Sequence, residues 1–186
     1  MRNLILGVLL FGSLCPAAPL AAGQSAAAKN PISSLLRGNL TRIENNIAKS
    51  AEKMPEDMYG MRPGPQMEVR TFGQLIGHLA TFSYLFCSDA KGEKNPKEGV
   101  DYEKLTSKAE LIKALTAAFS YCDDVYAGLT DASLTETISA TRDDGTKAPA
   151  LRISRMIVNI SHDQEHYGNI VTYMRIKSMV PPSSGQ

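Results

Sequence analysis

Tryptophan is absent from this chain, histidine occurs only three times, and aromatic residues make up just 6% of it. Charge of one sign is lacking as well, because 20 Lys and Arg face 19 Asp and Glu with no basic run among them. Binding to a phosphate backbone needs a clustered positive surface, so this balance excludes nucleic acid as the expected partner. Past the N-terminal residues there is no apolar run long enough to cross a bilayer, which argues against stable membrane insertion. Internal repeats, low-complexity tracts and sustained two-residue alternation are also missing, and with them the solenoid and all-β classes.

The one long apolar stretch lies at the start. Met1-Arg2-Asn3 is followed by an apolar run from Leu4 to Leu14 and by the small-residue segment Pro16 to Gly23. A basic start, a short hydrophobic centre and a small-residue exit predict a secretory signal peptide over residues 1–23, cut near Ala22 or Gly23. The expected location is therefore periplasmic or secreted. Residues 24–186, about 160 positions, fit one domain with an adequate core. Cys15 falls in the removed part, leaving Cys87 and Cys122. An even pair in an oxidising compartment predicts a disulfide between neighbouring helices.

Helical periodicity dominates the remainder. Asn30-Pro31 reads as an N-cap with proline at the first helical position, and Leu36, Leu40, Ile43 and Ile47 recur on one face before Pro55. Pro55 to Arg70 is too rich in Pro and Gly to be regular, and so long a connection is positioned to cover a site. A second helix is predicted from Thr71 to Ala90. The capping-box spacing Ser107 to Glu110 starts a third, with Leu111, Leu115, Ala118, Cys122, Val125 and Leu129 as its stripe. Thr130 to Lys147 is polar, and an extended stretch at Thr135–Ala140 finds no convincing partner. The last helix is predicted from near Pro149 to Ser178, with Ile153, Ile157, Ile160, Tyr167, Val171 and Met174 facing the core. The predicted fold is all-α, a four-helix bundle whose long loops imply at least one crossover connection.

All three histidines fall on these helices. His162 and His166, four apart, project within about 40° of each other and share one helix face. His78 lies in the second helix, at the edge of its apolar stripe beside Gln74. Taken singly, each is an ordinary polar residue of a helical protein. Packed together, the three imidazoles offer a divalent ion such as zinc or nickel three neutral nitrogens and an open position.

Tyr59-Gly60-Met61-Arg62-Pro63, Thr71-Phe72-Gly73-Gln74-Leu75-Ile76-Gly77-His78, His162-Asp163-Gln164-Glu165-His166-Tyr167-Gly168-Asn169 and Met179-Val180-Pro181-Pro182 together resemble the DinB-like superfamily. The resemblance runs over essentially the whole chain after the signal peptide. It implies a bundle with a long crossover, a metal (zinc or nickel) held by His78, His162 and His166, and frequent homodimers. It also implies thiol-dependent transferases and isomerases among the relatives, in which the metal activates a low-molecular-weight thiol.

Two functions follow. In the first, the ion serves a transferase or hydrolase acting on a small molecule, with a thiol as the expected partner. In the second, it is structural and ties two helices together. A fourth protein ligand decides for the second, and an open position beside a concave pocket for the first. Around the ligands, Asp163 and Glu165 flank the histidine face, each as orienting group, base or solvated charge. Asn159, Asn169 and Tyr173 are expected to accompany the histidines into a polar cleft, and Arg62 and Arg70 are placed to orient an anion.

Overall fold

The computed structural model describes residues 29–185, so the signal-peptide reading of residues 1–23 lies outside it. Four long helices build the body: α1 (Pro31–Lys53), α2 (Phe72–Lys91), α3 (Lys108–Gly128) and α5 (Arg152–Ile176). A single-turn α4 (Asp131–Leu134) and a hairpin of β1 (Thr137–Thr141) and β2 (Lys147–Leu151) fill the connection between α3 and α5. Both α1 and α2 pack against α3 and α5, so α1 and α2 occupy one diagonal of the bundle. The connection between them must therefore cross it, which accounts for the length of residues 54–71.

The helix ends follow local chemistry. Thr71 and Gln74 form a complete capping box at α2, and Gly92, at φ 83°, closes its far end in the left-handed region that glycine adopts freely. At α3 only half of the expected box forms, with Ser107 accepting from the Glu110 amide. Asn30 does not cap α1 with its own side chain. The Asp131 carboxylate does so from α4, taking the Ile32 and Ser33 amides at 3.1 and 2.8 Å, while Asn30 Oδ1 accepts from the Asp131 amide. Lys108 supplies the opposite end, donating to the carbonyls of Glu52 and Met54.

The hairpin corrects the expectation that nothing pairs with residues 135–140. Ser139 opposes Pro149 and Ala140 opposes Ala148, and the turn is closed by Gly145 at φ 81°. Proline is tolerated because a two-stranded sheet has only edge strands, where one amide points to solvent. The last helix consequently starts at Arg152, after this strand, and not near Pro149. Asp89 of α2 pins the hairpin down: its carboxylate takes the Thr141 amide at 2.7 Å, Lys147 Nζ at 2.7 Å and Arg155 Nη2 at 2.9 Å. Burial alone would raise the Asp89 pKa, and these donors more than reverse it.

The apolar interior divides in two. One cluster gathers Ile43, Ile47, Phe72, Leu75, Leu79, Leu115, Ile170 and Met174, and the other Leu40, Cys87, Cys122, Tyr126, Leu134, Met156 and Ile160. The predicted disulfide is present in the second, joining α2 to α3 with the Cys87 and Cys122 Cα atoms 5.4 Å apart. On α5 the buried face is Met156, Asn159, Ile160, Asp163, His166, Tyr167, Ile170 and Tyr173, while Ile157 is 48% exposed. The stripe expected through Ile157 and Val171 is thus rotated, and the histidines adjoin the buried face.

Candidate metal centre

Side-by-side packing of α2 and α5 brings His78 against two successive turns of α5. His162 Nε2 lies 3.1 Å from His78 Nε2 and 3.1 Å from His166 Nε2, and one nitrogen from each ring falls within 4.8 Å of the others. Phe82, one turn along from His78, lies against both the His78 and His162 rings at centroid distances of 4.4 and 5.1 Å. Phe86 meets His162 edge-on at 5.3 Å. This aromatic wall fixes the imidazole planes from one side and excludes water there.

The outer nitrogens are held separately. Glu103 Oε1 sits 2.8 Å from His78 Nδ1, and its other oxygen accepts from Arg70 Nε at 3.0 Å. A carboxylate accepts only, so His78 Nδ1 carries the proton and its Nε2 is a bare lone pair. The Asn169 amide nitrogen lies 3.4 Å from His166 Nδ1. Asp163 Oδ1 stands 3.8 Å from His162 Nδ1, and both are buried without another partner, orphan donor facing orphan acceptor.

Three nitrogen lone pairs aimed at one point repel unless a cation lies between them. Two ligands each about 2.0–2.1 Å from one tetrahedral zinc stand about 3.3 Å apart, close to the spacing found. The residues therefore fit a divalent ion, and an all-imidazole donor set suits zinc or nickel. Burial, then the charges of His162, His78 and Arg70, lower the His166 pKa to about 3. Burial also lowers that of His78, against the opposing effect of Glu103. Both rings are neutral near pH 7, the form that ligates. Among the described residues no Cys, Asp or Glu joins the three histidines, so the protein leaves a fourth position free.

A cleft of about 250 Å³ opens beside His166, walled by Val69, Arg70, Leu75, Asn169 and Tyr173. The segment from Pro55 to Arg70 forms one of its sides, as its length implied. The Tyr173 hydroxyl donates to the Arg70 carbonyl and anchors that side to α5.

Of the residues singled out in the sequence, Asn169 and Tyr173 reach this cleft and Asn159 does not. Its amide points inward to the Tyr126 hydroxyl at 3.4 Å and to the disulfide sulfurs. Asp163 is fully buried behind His162, and Glu165 is exposed and solvated. Glu103 is the contact that sequence reading missed. Its one signal was Gly77, a glycine in the middle of a helix next to a candidate ligand. A Cβ there would stand 2.6 Å from the Tyr102 carbonyl carbon, so only glycine lets the turn at Tyr102–Lys104 approach α2 and deliver Glu103 to His78.

Residues 39–170 match the profile of the DinB superfamily. The chain belongs to the DinB superfamily. Solved structures agree on the fold. A DinB-like protein of Bacillus subtilis is 20% identical with a TM-score of 0.62, covering 78% of this DinB chain and 94% of its own. YfiT from Bacillus subtilis, described as a probable metal-dependent hydrolase with an unusual four-helix bundle topology, is 14% identical with a TM-score of 0.57, over 91% and 96%. The mycothiol-dependent maleylpyruvate isomerase is 10% identical with a TM-score of 0.57, over 74% of this chain and 60% of its own. No curated protein matches the sequence.

Proposed function

We propose that this DinB-superfamily chain is an exported metal-dependent enzyme of the transferase or hydrolase type, acting on a small molecule with a thiol as its partner. One observation carries the reading: three Nε2 atoms converge beside a cleft with no fourth protein ligand among the described residues. A structural site is closed by four protein ligands, so the open position speaks against an ion that only ties α2 to α5. Thiol dependence in one protein of similar fold and metal-dependent hydrolysis ascribed to another support the two reaction types. Export rests on the pattern of residues 1–23, and N-terminal sequencing of the mature chain checks it.

A zinc or nickel ion held by His78, His162 and His166 supplies the positive charge that lowers the pKa of a thiol or of water. The protein's share is positional. Glu103 keeps the His78 proton on Nδ1 and leaves Nε2 free. Phe82 and Phe86 close one side, and the cleft admits substrate from the other. Tyr173, committed to the Arg70 carbonyl, holds the cleft wall. Asp163 lies on the outer side of His162 and orients the ring, which excludes it as a base acting in the cleft.

The test compares metal-loaded, chelator-stripped and His166→Ala protein in thiol transfer to electrophiles and in ester and amide hydrolysis. Turnover is expected in the first alone. Equal rates in all three would refute the reading.

A further inference from the structure

The cleft wall carries more charge than holding a metal ion requires. Arg70 uses Nε on Glu103, and Arg62 uses Nε on the Val69 carbonyl at 2.7 Å. Among the described residues neither guanidinium finds an acceptor for its terminal nitrogens. Arg70 lines the cleft together with His166 and is tied through Glu103 to His78, whereas Arg62 lies behind Val69, outside the lining, and is held there by that residue's carbonyl. Arg70 is therefore poised between the metal ligands and the opening, with the outer edge of its fork unfilled.

We propose that this cleft binds a small organic carboxylate, gripped by the free edge of Arg70 with Arg62 in support, its hydrocarbon part lying over Leu75 and Val69 next to the open metal position. The assignment deepens the enzymatic reading above and names its substrate class.

Three features select a carboxylate. The planar fork of arginine matches two coplanar oxygens, and the Glu103 bond fixes the plane in which Arg70 presents its remaining donors. A space of about 250 Å³ lies below the usual size of a drug-like pocket and suits an acid of about ten heavy atoms. The charge balance favours an anion. Glu68, an exposed carboxylate of the cleft wall, and Glu103 offset the two arginines, and a divalent ion leaves the site net positive even against Asp163. Each glutamate has a different bearing: Glu103 is engaged with Arg70 and His78, whereas Glu68 narrows the choice of anion by repelling a second negative group.

The experiment is an amide chemical-shift titration of isotope-labelled protein with benzoate, neutral benzamide and inorganic phosphate, metal-loaded and chelator-stripped. Benzoate is expected to give saturable shifts at Val69, Arg70, Asn169 and Tyr173 in both forms through the Arg70 fork, more tightly in the metal-loaded form where the site is net positive, and benzamide to bind at least about tenfold more weakly. Arg70→Gln should lose about tenfold or more in benzoate affinity and Arg70→Lys nearly as much, because lysine keeps the charge without the fork. Arg62→Gln should lose less. His166→Ala should keep benzoate while losing metal, which separates this proposal from the catalytic one: the cleft stands if benzoate binds and turnover is absent. Equal binding of benzoate and benzamide, unchanged affinity in Arg70→Gln, preference for phosphate, or binding that needs the metal and ignores Arg70 would each overturn it.

Discussion

Glu44 lies on the inner face of α1 between Leu40 and Ile47, 5% exposed, with Oε1 buried and unpartnered among the described residues. Burial above all, then the negative charges of Asp123 and Asp163, raise its pKa to about 10. The folded protein therefore holds this carboxyl neutral at pH 7, whereas the unfolded chain ionises near 4.5. Below 4.5 both states are protonated and the residue costs nothing through ionisation. As pH rises from there toward 10, folding must take up a proton, and stability declines. Glu44→Gln removes that proton uptake. Urea unfolding should show wild type losing stability between pH 5 and pH 8 relative to the variant. A difference that stays constant with pH would show Glu44 to be ionised in the fold. At Glu103 the effect falls on the metal: Glu103→Gln keeps the side-chain shape but weakens the acceptor for His78 Nδ1. Loss of such an outer contact lowers metal affinity by about 10- to 100-fold. Competition with a coloured chelator measures it, and unchanged affinity would mean that His78 is oriented by packing alone.

At the scale of elements, helix existence and part of the capping were legible where the determinants are neighbours in sequence. The Glu110 half of the box at α3 does not form and the complete box of Thr71 with Gln74 was not read, whereas Pro31 at the first turn, the Ser107 half of the box at α3 and the stripe of α3 read correctly because each depends on residues close in sequence. The cap on α1 did not, since Asp131 lies a hundred residues from the amides it binds. Nor did the hairpin, whose second strand contains Pro149 and is anchored by a buried carboxylate on another helix. On α5 apolar Ile157 faces solvent while Asn159 and Asp163 are inside, so the metal centre inverts the usual pattern and misdirects a reading based on it. The pairing of Cys87 with Cys122 was legible as chemistry, but its geometry was not: α2 and α3 run parallel, with Gly73 beside Leu111 and Tyr84 beside Tyr121, and this brings the late turns of both helices together. The bridge closes a loop of 35 residues, and the chain-entropy account assigns it about 4 kcal/mol. Replacing both cysteines with alanine should lower the denaturant-unfolding free energy by about 3–4 kcal/mol. A loss under about 1 kcal/mol would indicate native strain or residual order in the unfolded chain.

Seen as a whole, the bundle has a polar waist. Glu44 on α1, Ser83 on α2 and Asp163 on α5 fall where each helix passes from one apolar cluster to the other. This layer cannot stabilise the fold by burial, because Asp163 and Glu44 carry unpartnered oxygens there and each orphaned group costs about 1–3 kcal/mol. The same level carries His162, with His78 across from it, so an ion bound there would cross-link α2 and α5 where apolar packing is interrupted. Binding to the folded state alone adds about 2.7 kcal/mol at a free metal concentration a hundred times Kd, and about 1.4 kcal/mol for each further tenfold. For a domain of this size that first increment raises Tm by roughly 5–10 °C. Thermal unfolding of chelator-stripped protein titrated with zinc or nickel should thus show Tm climbing with the logarithm of metal concentration, and His162→Ala should show almost none of this climb. The prediction holds whether or not the protein turns anything over, because it depends on the three nitrogens and not on the open position. A midpoint indifferent to metal, or an equal rise in His162→Ala, would remove the ion from the waist and with it the basis for any chemistry in the cleft.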